Sequence, residues 1–355
     1  MRHILKYAVR RVKICGDMHI SAGEEVGTVA AGVSDLSDTE RRALESGDDV
    51  AVQIAVARRY YHRDQSKVAI AKSFGLSRFQ IARMLTDARR DGLVRIEIGA
   101  PGRRDRELAA ALQDRLRLAK AVVVDSSPGS PHMAVEHVGR ALGEELAAAL
   151  RPGAALGLAW SSTTVAMADS LTRLRPCSVV QLAGAIYPPA GMPGSVEVTR
   201  RVAQAADGDA HTVYAPLVVA DADTANGLRR QPEIADVLTR ARSLDIAVLS
   251  VGAWRPSASA VYDLLSPAEQ EEVAAAGVCG EISGRLFDAE GRIVQAPLSN
   301  RVIGATAADL QSVGHLVVSA HGAFRAQATR AAVRAGLVHT LVADTELATA
   351  LLGTE

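Results

Sequence analysis

Wound as a helix at about 100° per residue, the stretch from Arg78 to Asp91 sorts into two sides. Phe79, Gln80, Arg83, Thr86 and Arg90 share one, while Ile81, Met84, Leu85 and Ala88 share the other. The first set suits the edges of bases. Arginine can bond guanine, glutamine can bond adenine, and an apolar ring can touch a thymine methyl. Ser77 and Arg78 sit where the first helical turn would meet phosphate. A three-helix module that binds protein is the competing reading. An acidic or mixed face would serve protein contact equally well, so the basic face favours duplex DNA.

A second set of reactive side chains lies in Gly157-Leu158-Ala159-Trp160-Ser161-Ser162-Thr163-Thr164. An apolar run ends there in a hydroxyl-rich turn that opens a helix. Free backbone N–H groups, the helix dipole and the hydroxyls of Ser161, Ser162, Thr163 and Thr164 could cradle a phosphate. Ordinary helix capping by Ser161 or Ser162 explains the same residues equally well. The Gly-x-x-x-x-Gly-Lys pattern of a P-loop is absent. In Ser319-Ala320-His321-Gly322-Ala323-Phe324-Arg325, Arg325 could pair bidentately with phosphate or carboxylate, or be a surface arginine at a helix start. In the run from Gly280 to Gly291, Glu281 could accept sugar hydroxyls or be a solvated strand residue, and Asp288 to Gly291 reads as a hairpin turn. No lysine follows Lys120, so a Schiff base with an aldehyde sugar is not available in the C-terminal part. His132, His137, His211, His315, His321 and His339 show no metal-ligand spacing, and no cofactor motif stands out.

The elements that must position these groups follow from periodicity. Residues 50–62 read as an amphipathic helix with Val52, Ala55, Val56 and Tyr60 on one side. A short helix then ends at Gly75, and Ser77 caps the next, which stops at Gly92 before a strand over Leu93–Ile98. Ala71 supplies the small residue that two steeply crossing helices need, and Gly75 supplies positive φ for the tight turn. Ile70, Phe74, Leu76, Ile81, Met84 and Leu85 form one small core. This is a helix-turn-helix.

Beyond Ala121, short apolar runs alternate with helical patterns. Strands are expected at Val122–Val124, Ala154–Ala159, Val179–Leu182, Thr212–Val219, Ala247–Val251, Leu316–Ser319 and Thr340–Ala343. Helices are expected around 133–150, 163–173, 195–207, 231–243, 266–276, 323–335 and 345–352. Such alternation indicates an α/β fold, a doubly wound parallel sheet covered on both faces, with ligands at the carboxyl ends of strands. Residues 1–49 show no sustained period and read as a poorly structured extension, with a short helix near Asp38–Ser46. The expected organisation is therefore an extension over 1–49, a DNA-binding domain over 50–98 and an effector domain over 99–355.

Charge supports that division. The 355 residues balance 40 basic against 40 acidic side chains, yet residues 50–98 carry a net +6 and residues 1–49 a net −2, leaving −4 for the rest. A basic module joined to a mildly acidic body suits contact with a polyanion through one part only. A hydrophobic fraction of 48% supports a real core, and collagen-like and low-complexity classes are excluded. The cysteines Cys15, Cys177 and Cys279 lack ligand spacing and imply a reducing compartment. No apolar run is long enough to span a bilayer, and residues 1–20 are not a signal peptide, so a soluble, cytoplasmic protein is expected.

Taken in order, Tyr60-Tyr61, Ala69-Ile70-Ala71, Gly75-Leu76-Ser77-Arg78, Ile81, Arg83-Met84-Leu85 and Gly92-Leu93-Val94-Arg95-Ile96 resemble the SorC family of sugar-binding bacterial transcription regulators. The resemblance continues through Gly157 to Thr164, Gln181-Leu182-Ala183-Gly184, Gly280-Glu281-Ile282, Arg301-Val302-Ile303-Gly304 and His321 to Ala332. It implies a winged-type helix-turn-helix and an effector domain similar in fold to sugar-phosphate isomerases. It also implies a phosphorylated sugar or polyol as effector, and a homo-oligomer, usually a tetramer. Family effector contacts, carried over by position, fall on Ser161, Ser162, Thr163, Thr164, Gln181, Glu281 and Arg325. Ser161 stands where the family usually has glycine, and Arg325 where it usually has lysine.

The expected function is transcription regulation, with operator DNA bound by Ser77, Arg78, Phe79, Gln80, Arg83 and Arg90 and controlled by the carbohydrate effector. A single module buries little surface, so a dimer or higher oligomer reading repeated half-sites is expected. A sugar-phosphate isomerase with a DNA-binding appendage is the enzymatic alternative; it needs a positioned base and acid, and Glu281 has no evident partner. A protein-binding module is the third reading.

Overall fold

The computed structural model describes residues 9–14 (backbone only), 36–46, 48–61, 63, 65–99, 102–125, 131–186, 188 and 192–353. The chain divides into two compact units, residues 1–100 and 101–355.

The first unit runs β1 (Val9–Ile14), α1 (Asp38–Glu45), α2 (Asp49–Tyr61), α3 (Lys67–Phe74), α4 (Arg78–Arg90) and β2 (Val94–Gly99). Val56, Ile70, Phe74, Ile81, Leu85 and Ala88 are buried together as its core, with Leu76 and Met84 packed against them. Gly75 ends α3 at φ 66°, and its N–H reaches Ala71 O. A residue with a Cβ would be strained at that angle. Ser77 caps α4 in a reciprocal box with Gln80.

Most of the expected extension, residues 1–8 and 15–35, lies outside the described residues. Its remainder corrects the reading of a poorly structured leader. β1 pairs antiparallel with β2 from Val9↔Gly99 to Ile14↔Val94. Helix α1 opens with a capping box between Ser37 and Glu40, and Leu36 and Ala43 are buried in the same core as the helix-turn-helix. Glu40 also grips Arg59, the largest fully buried side chain, through Nε–Oε1 and Nη2–Oε2 bonds of 2.8 Å each. Arg59 lies 5.5 Å from the Phe74 ring. The polar composition of 36–46 hid this, because an ion pair rather than an apolar stripe fastens α1.

The second unit begins with α5 (Arg106–Leu116), β3 (Lys120–Val124), α6 (Pro131–Ala149), β4 (Ala154–Leu158), α7 (Ser162–Ser170), β5 (Cys177–Gln181), α8 (Ser195–Ala205) and β6 (Ala210–His211). It continues with α9 (Ala222–Arg229), α10 (Pro232–Arg240), β7 (Ile246–Ser250), β8 (Gly252–Ala253), α11 (Ala260–Asp263), α12 (Pro267–Ala275), β9 (Val278–Ile282) and β10 (Arg285–Asp288). The last elements are α13 (Ala307–Gln311), β11 (His315–Ala320), α14 (Ala326–Arg334), β12 (Thr340–Asp344) and α15 (Thr345–Leu352). Seven parallel strands form the main sheet in the order β3-β12-β11-β7-β4-β5-β6, and β10-β9-β8 form a small antiparallel sheet.

Successive strand residues face opposite layers. Ala247, Leu249, Val318 and Leu341 pack with Leu112 of α5, Val237 of α10 and Leu347 of α15. Val248, Val317 and Val342 pack with Leu142 of α6, Met167 of α7 and Val202 of α8. Both faces are thus covered, as continuous apolar strands require.

Three local expectations change. No strand forms over Thr212–Val219; the two-residue β6 lies just before it, and within the range Pro216 and Val218 pair only through single bridges; Pro216 has no N–H to give a ladder. Helices α5, α9, α11 and α13 were not anticipated. The helix expected over 323–335 starts with a 3-10 turn at Ala323–Arg325, and α14 follows it.

Candidate functional sites

In the first unit, α4 presents Arg78, Phe79, Gln80, Arg83, Thr86 and Arg90 to solvent, opposite the buried Ile81, Leu85 and Ala88. Phe79 is 85% exposed, more than any other large apolar side chain among the described residues. The ring thus stands in water on the same face as Arg78 and Arg83. Not all six expected DNA contacts are equally available. Ser77 Oγ accepts from Gln80 N at 3.1 Å, and Gln80 Oε1 accepts from Ser77 N at 2.8 Å, so both side chains are engaged in the cap. Arg90 is held by Asp91 and Asp87, each at 2.8 Å. Arg83 has only a 3.7 Å approach to Asp87, with its side chain 84% exposed.

In the second unit, the chain moves outward from β4 through β5 to β6. It then returns to β7 on the other flank of β4 and proceeds to β11 and β12. The strand order therefore reverses between β4 and β7, where doubly wound sheets open a crevice at their carboxyl ends. A cavity of about 600 Å³ occupies that place. The loops after β4, β5, β7 and β11 and the small sheet supply its walls, including Ser161, Ser162, Ser259, Glu281, His321 and Arg325.

Ser161 caps α7, accepting from Thr164 N at 3.1 Å, while Ser161 N donates to Thr164 Oγ1 at 2.7 Å. The backbone N–H groups of the next two residues point along the first turn of α7, the usual place for an anion. Across the cavity, Arg325 is only 8% exposed. Its Nη1 donates to His321 O at 2.7 Å and its Nη2 to Ala258 O at 3.4 Å, and its guanidinium lies 4.5 Å from the Phe324 ring. Among the described residues no carboxylate hydrogen-bonds to it, although the charges of Asp344 and Glu281 act on it from farther away. Burial lowers its pKa to about 10. His321 is pushed down to about 4 by burial and then by the neighbouring Arg325, so its ring is neutral near pH 7.

Glu281 is 6% exposed, not solvated. Ser259 Oγ donates to its Oε1 and Gly284 N to its Oε2, each at 2.9 Å. Burial raises its pKa, with those two hydrogen bonds opposing. Gly252 makes room for the carboxyl, since a Cβ there would run into Glu281 Oε1.

The structure thus gathers Ser161, Ser162, Glu281 and Arg325 around one cavity and places the other three expected contacts behind its walls. Thr163 is 1% exposed and bonds Ser319 Oγ at 2.7 Å and Ser161 Oγ at 2.9 Å. Thr164 serves the cap. Gln181 ties Ala183 O at 2.7 Å to Val213 N at 3.2 Å. The sequence does not single out Ser257, Ser259 or Ser283 on the lining, and it gives His321 no role. The turn between a strand and a helix was a signal for His321; the serines become visible only through the small sheet and the β8–α11 loop. Asp288–Gly291 does form a turn, with Gly291 N donating to Asp288 O at 3.0 Å.

The Sugar-bind family model, a sugar-binding domain, matches residues 101–353. The chain is 25% identical over 304 residues to the deoxyribonucleoside regulator of Bacillus subtilis, covering 85% of this chain and 97% of that one. It is 28% identical over 300 residues to the transcriptional regulator LsrR of Klebsiella pneumoniae, covering 82% and 90%. The full-length sorbitol operon regulator SorC of Klebsiella pneumoniae superposes with a TM-score of 0.64 at 21% identity, covering 86% of this chain and all of that one.

Proposed function

The chain belongs to the family of sugar-binding domains that its residues 101–353 match, and from that premise we infer that it is a DNA-binding transcriptional regulator controlled by a phosphorylated sugar or polyol. Relatives with which it aligns over most of its length are named as a deoxyribonucleoside regulator, a transcriptional regulator and a sorbitol operon regulator. Helix α4 enters the major groove, with Phe79 and Arg83 meeting bases and Arg78 meeting phosphate. Gln80 reads a base only if it leaves the cap, and Arg90 only if it leaves its two aspartates.

One observation carries the effector assignment: a buried guanidinium, Arg325, lines the switch-point cavity with no carboxylate in ion-pair contact among the described residues, Asp344 and Glu281 acting on it only from farther off. A buried charge without a hydrogen-bonded counter-ion is costly, and an incoming oxyanion relieves that cost. The phosphate lies between Arg325 and the first turn of α7 with Ser161 and Ser162, and Glu281 accepts a sugar hydroxyl. Both Glu281 oxygens are held by the wall, which suits a fixed acceptor better than the mobile proton carrier an isomerase needs.

Operator recognition by one small module is weak, so the active form is a homo-oligomer reading repeated half-sites, and its place of work is the cytoplasm, with the DNA. Among the described residues no helix is long and apolar enough to cross a membrane. A thermal-shift series with phosphorylated sugars, paired with anisotropy titrations of promoter DNA over a range of salt, tests the reading. Stabilisation by phosphosugars and a steep fall of log affinity with log salt are expected. A flat salt response, or turnover of the sugar, contradicts it.

A further inference from the structure

The switch-point cavity has two unlike walls. Arg325, His321, Glu281 and the serines make one. Trp160, Ile186, Met192 and Leu264 make the other, backed by Val261 and Leu217. Among the described residues, none covers this second wall completely. Leu264 is 43% exposed, and Trp160, Ile186 and Met192 are partly exposed although they belong to the interior of a crevice. Trp160 is held in place, its Nε1–H donating to Pro193 O at 2.9 Å.

A bare sugar phosphate is polar over most of its surface. One ring stacked on Trp160 would still leave Ile186, Met192 and Leu264 against water. The volume, about 600 Å³, lies within the range of about 300–1,000 Å³ that encloses ligands of drug size. Among the described lining residues Arg325 is the one cation, His321 being neutral, with Arg255 behind it 5.2 Å from the Phe324 ring. Charge pairing is therefore modest, and apolar contact must supply part of any tight binding.

We propose that the effector is a phosphorylated sugar or polyol bearing an apolar substituent, such as an aryl glycoside phosphate or a nucleotide, with the substituent against Trp160, Ile186, Met192 and Leu264. This rests on the phosphosugar reading above and narrows it. The substituent is the part of the ligand that distinguishes it from a free sugar phosphate of central metabolism.

Calorimetric titration of the full chain with matched pairs tests the proposal. The pairs are glucose 6-phosphate with phenyl β-D-glucopyranoside 6-phosphate, and ribose 5-phosphate with adenosine 5′-monophosphate. Phenyl β-D-glucopyranoside without phosphate is the control. The substituted member of at least one pair binds at least about tenfold tighter than its bare partner. Leu264→Ser, at a site exposed enough to leave folding intact, removes most of that gain and leaves the bare sugar phosphate unchanged. Arg325→Ala weakens both members of the pair alike. Equal affinity of bare and substituted members in both pairs overturns the proposal and leaves the phosphosugar reading standing. Tightest binding by the phosphate-free glycoside, or binding by none of these ligands, overturns both.

Discussion

Arg325 was legible in the sequence as a charged residue at a strand-to-helix turn, but its burial was not, since that depends in part on Ala258, distant in the chain. Its planar fork bonds two backbone carbonyls, of His321 and Ala258, while facing the cavity. Arg325→Lys keeps the charge and loses that fork. It should weaken phosphosugar binding by about tenfold or more in calorimetry, with promoter DNA affinity in the absence of effector unchanged. Thr163 shows the opposite case. Its type and spacing suggested a phosphate ligand, yet its hydroxyl joins Ser319 and Ser161 below the cavity floor. Thr163→Val should lower stability by about 1–3 kcal/mol, because it removes two buried hydrogen bonds, to Ser319 and Ser161. Urea denaturation measures the loss. An effect confined to ligand binding, with stability intact, would return Thr163 to the lining.

At the scale of elements, the helix-turn-helix was readable because each requirement is local: a small residue at Ala71, positive φ at Gly75, a cap at Ser77, and an apolar face that repeats with the helix. Helix α1 was only glimpsed, because what holds it is long-range. Arg59 and Glu40 are nineteen positions apart and carry no apolar signature. Glu40→Gln removes the carboxylate that two 2.8 Å bonds hold against a buried guanidinium and should cost about 3–5 kcal/mol. The pH dependence has a definite sign. The hydrogen bond from Arg59 is the main cause that lowers the Glu40 pKa from 4.5 to about 2. Its contribution is therefore complete above pH 4.5 and is lost as pH falls from there toward 2. Melting curves of wild type and Glu40→Gln should converge across that window; a constant gap would show that Glu40 does not titrate with unfolding. On α4, Phe79→Ala should leave stability within about 0.5 kcal/mol, since the ring is in water, and should weaken promoter binding. Arg83→Ala should cost about 1–3 kcal/mol of discrimination between operator and random DNA. An equal loss on both DNAs, read by anisotropy, would make Arg83 a phosphate contact instead.

For the whole molecule, strand-helix alternation announced a doubly wound sheet, but not the order of its strands. The reversal between β4 and β7 places the crevice, and it follows from which connections cross which face, not from any one segment. An effector bound there can alter DNA binding only if it has different affinity for the arrangements that do and do not hold an operator. Such coupling is reciprocal: the factor by which effector changes DNA affinity equals the factor by which DNA changes effector affinity. The most direct measurement closes that cycle with the phosphosugar that stabilises the protein best. DNA affinity is titrated with and without saturating effector, and effector affinity with and without saturating operator, in wild type and Arg325→Ala. The account predicts the same factor from both directions, about 5–150-fold in wild type, and none in the variant. Effector that binds the crevice while leaving operator affinity unchanged would contradict it.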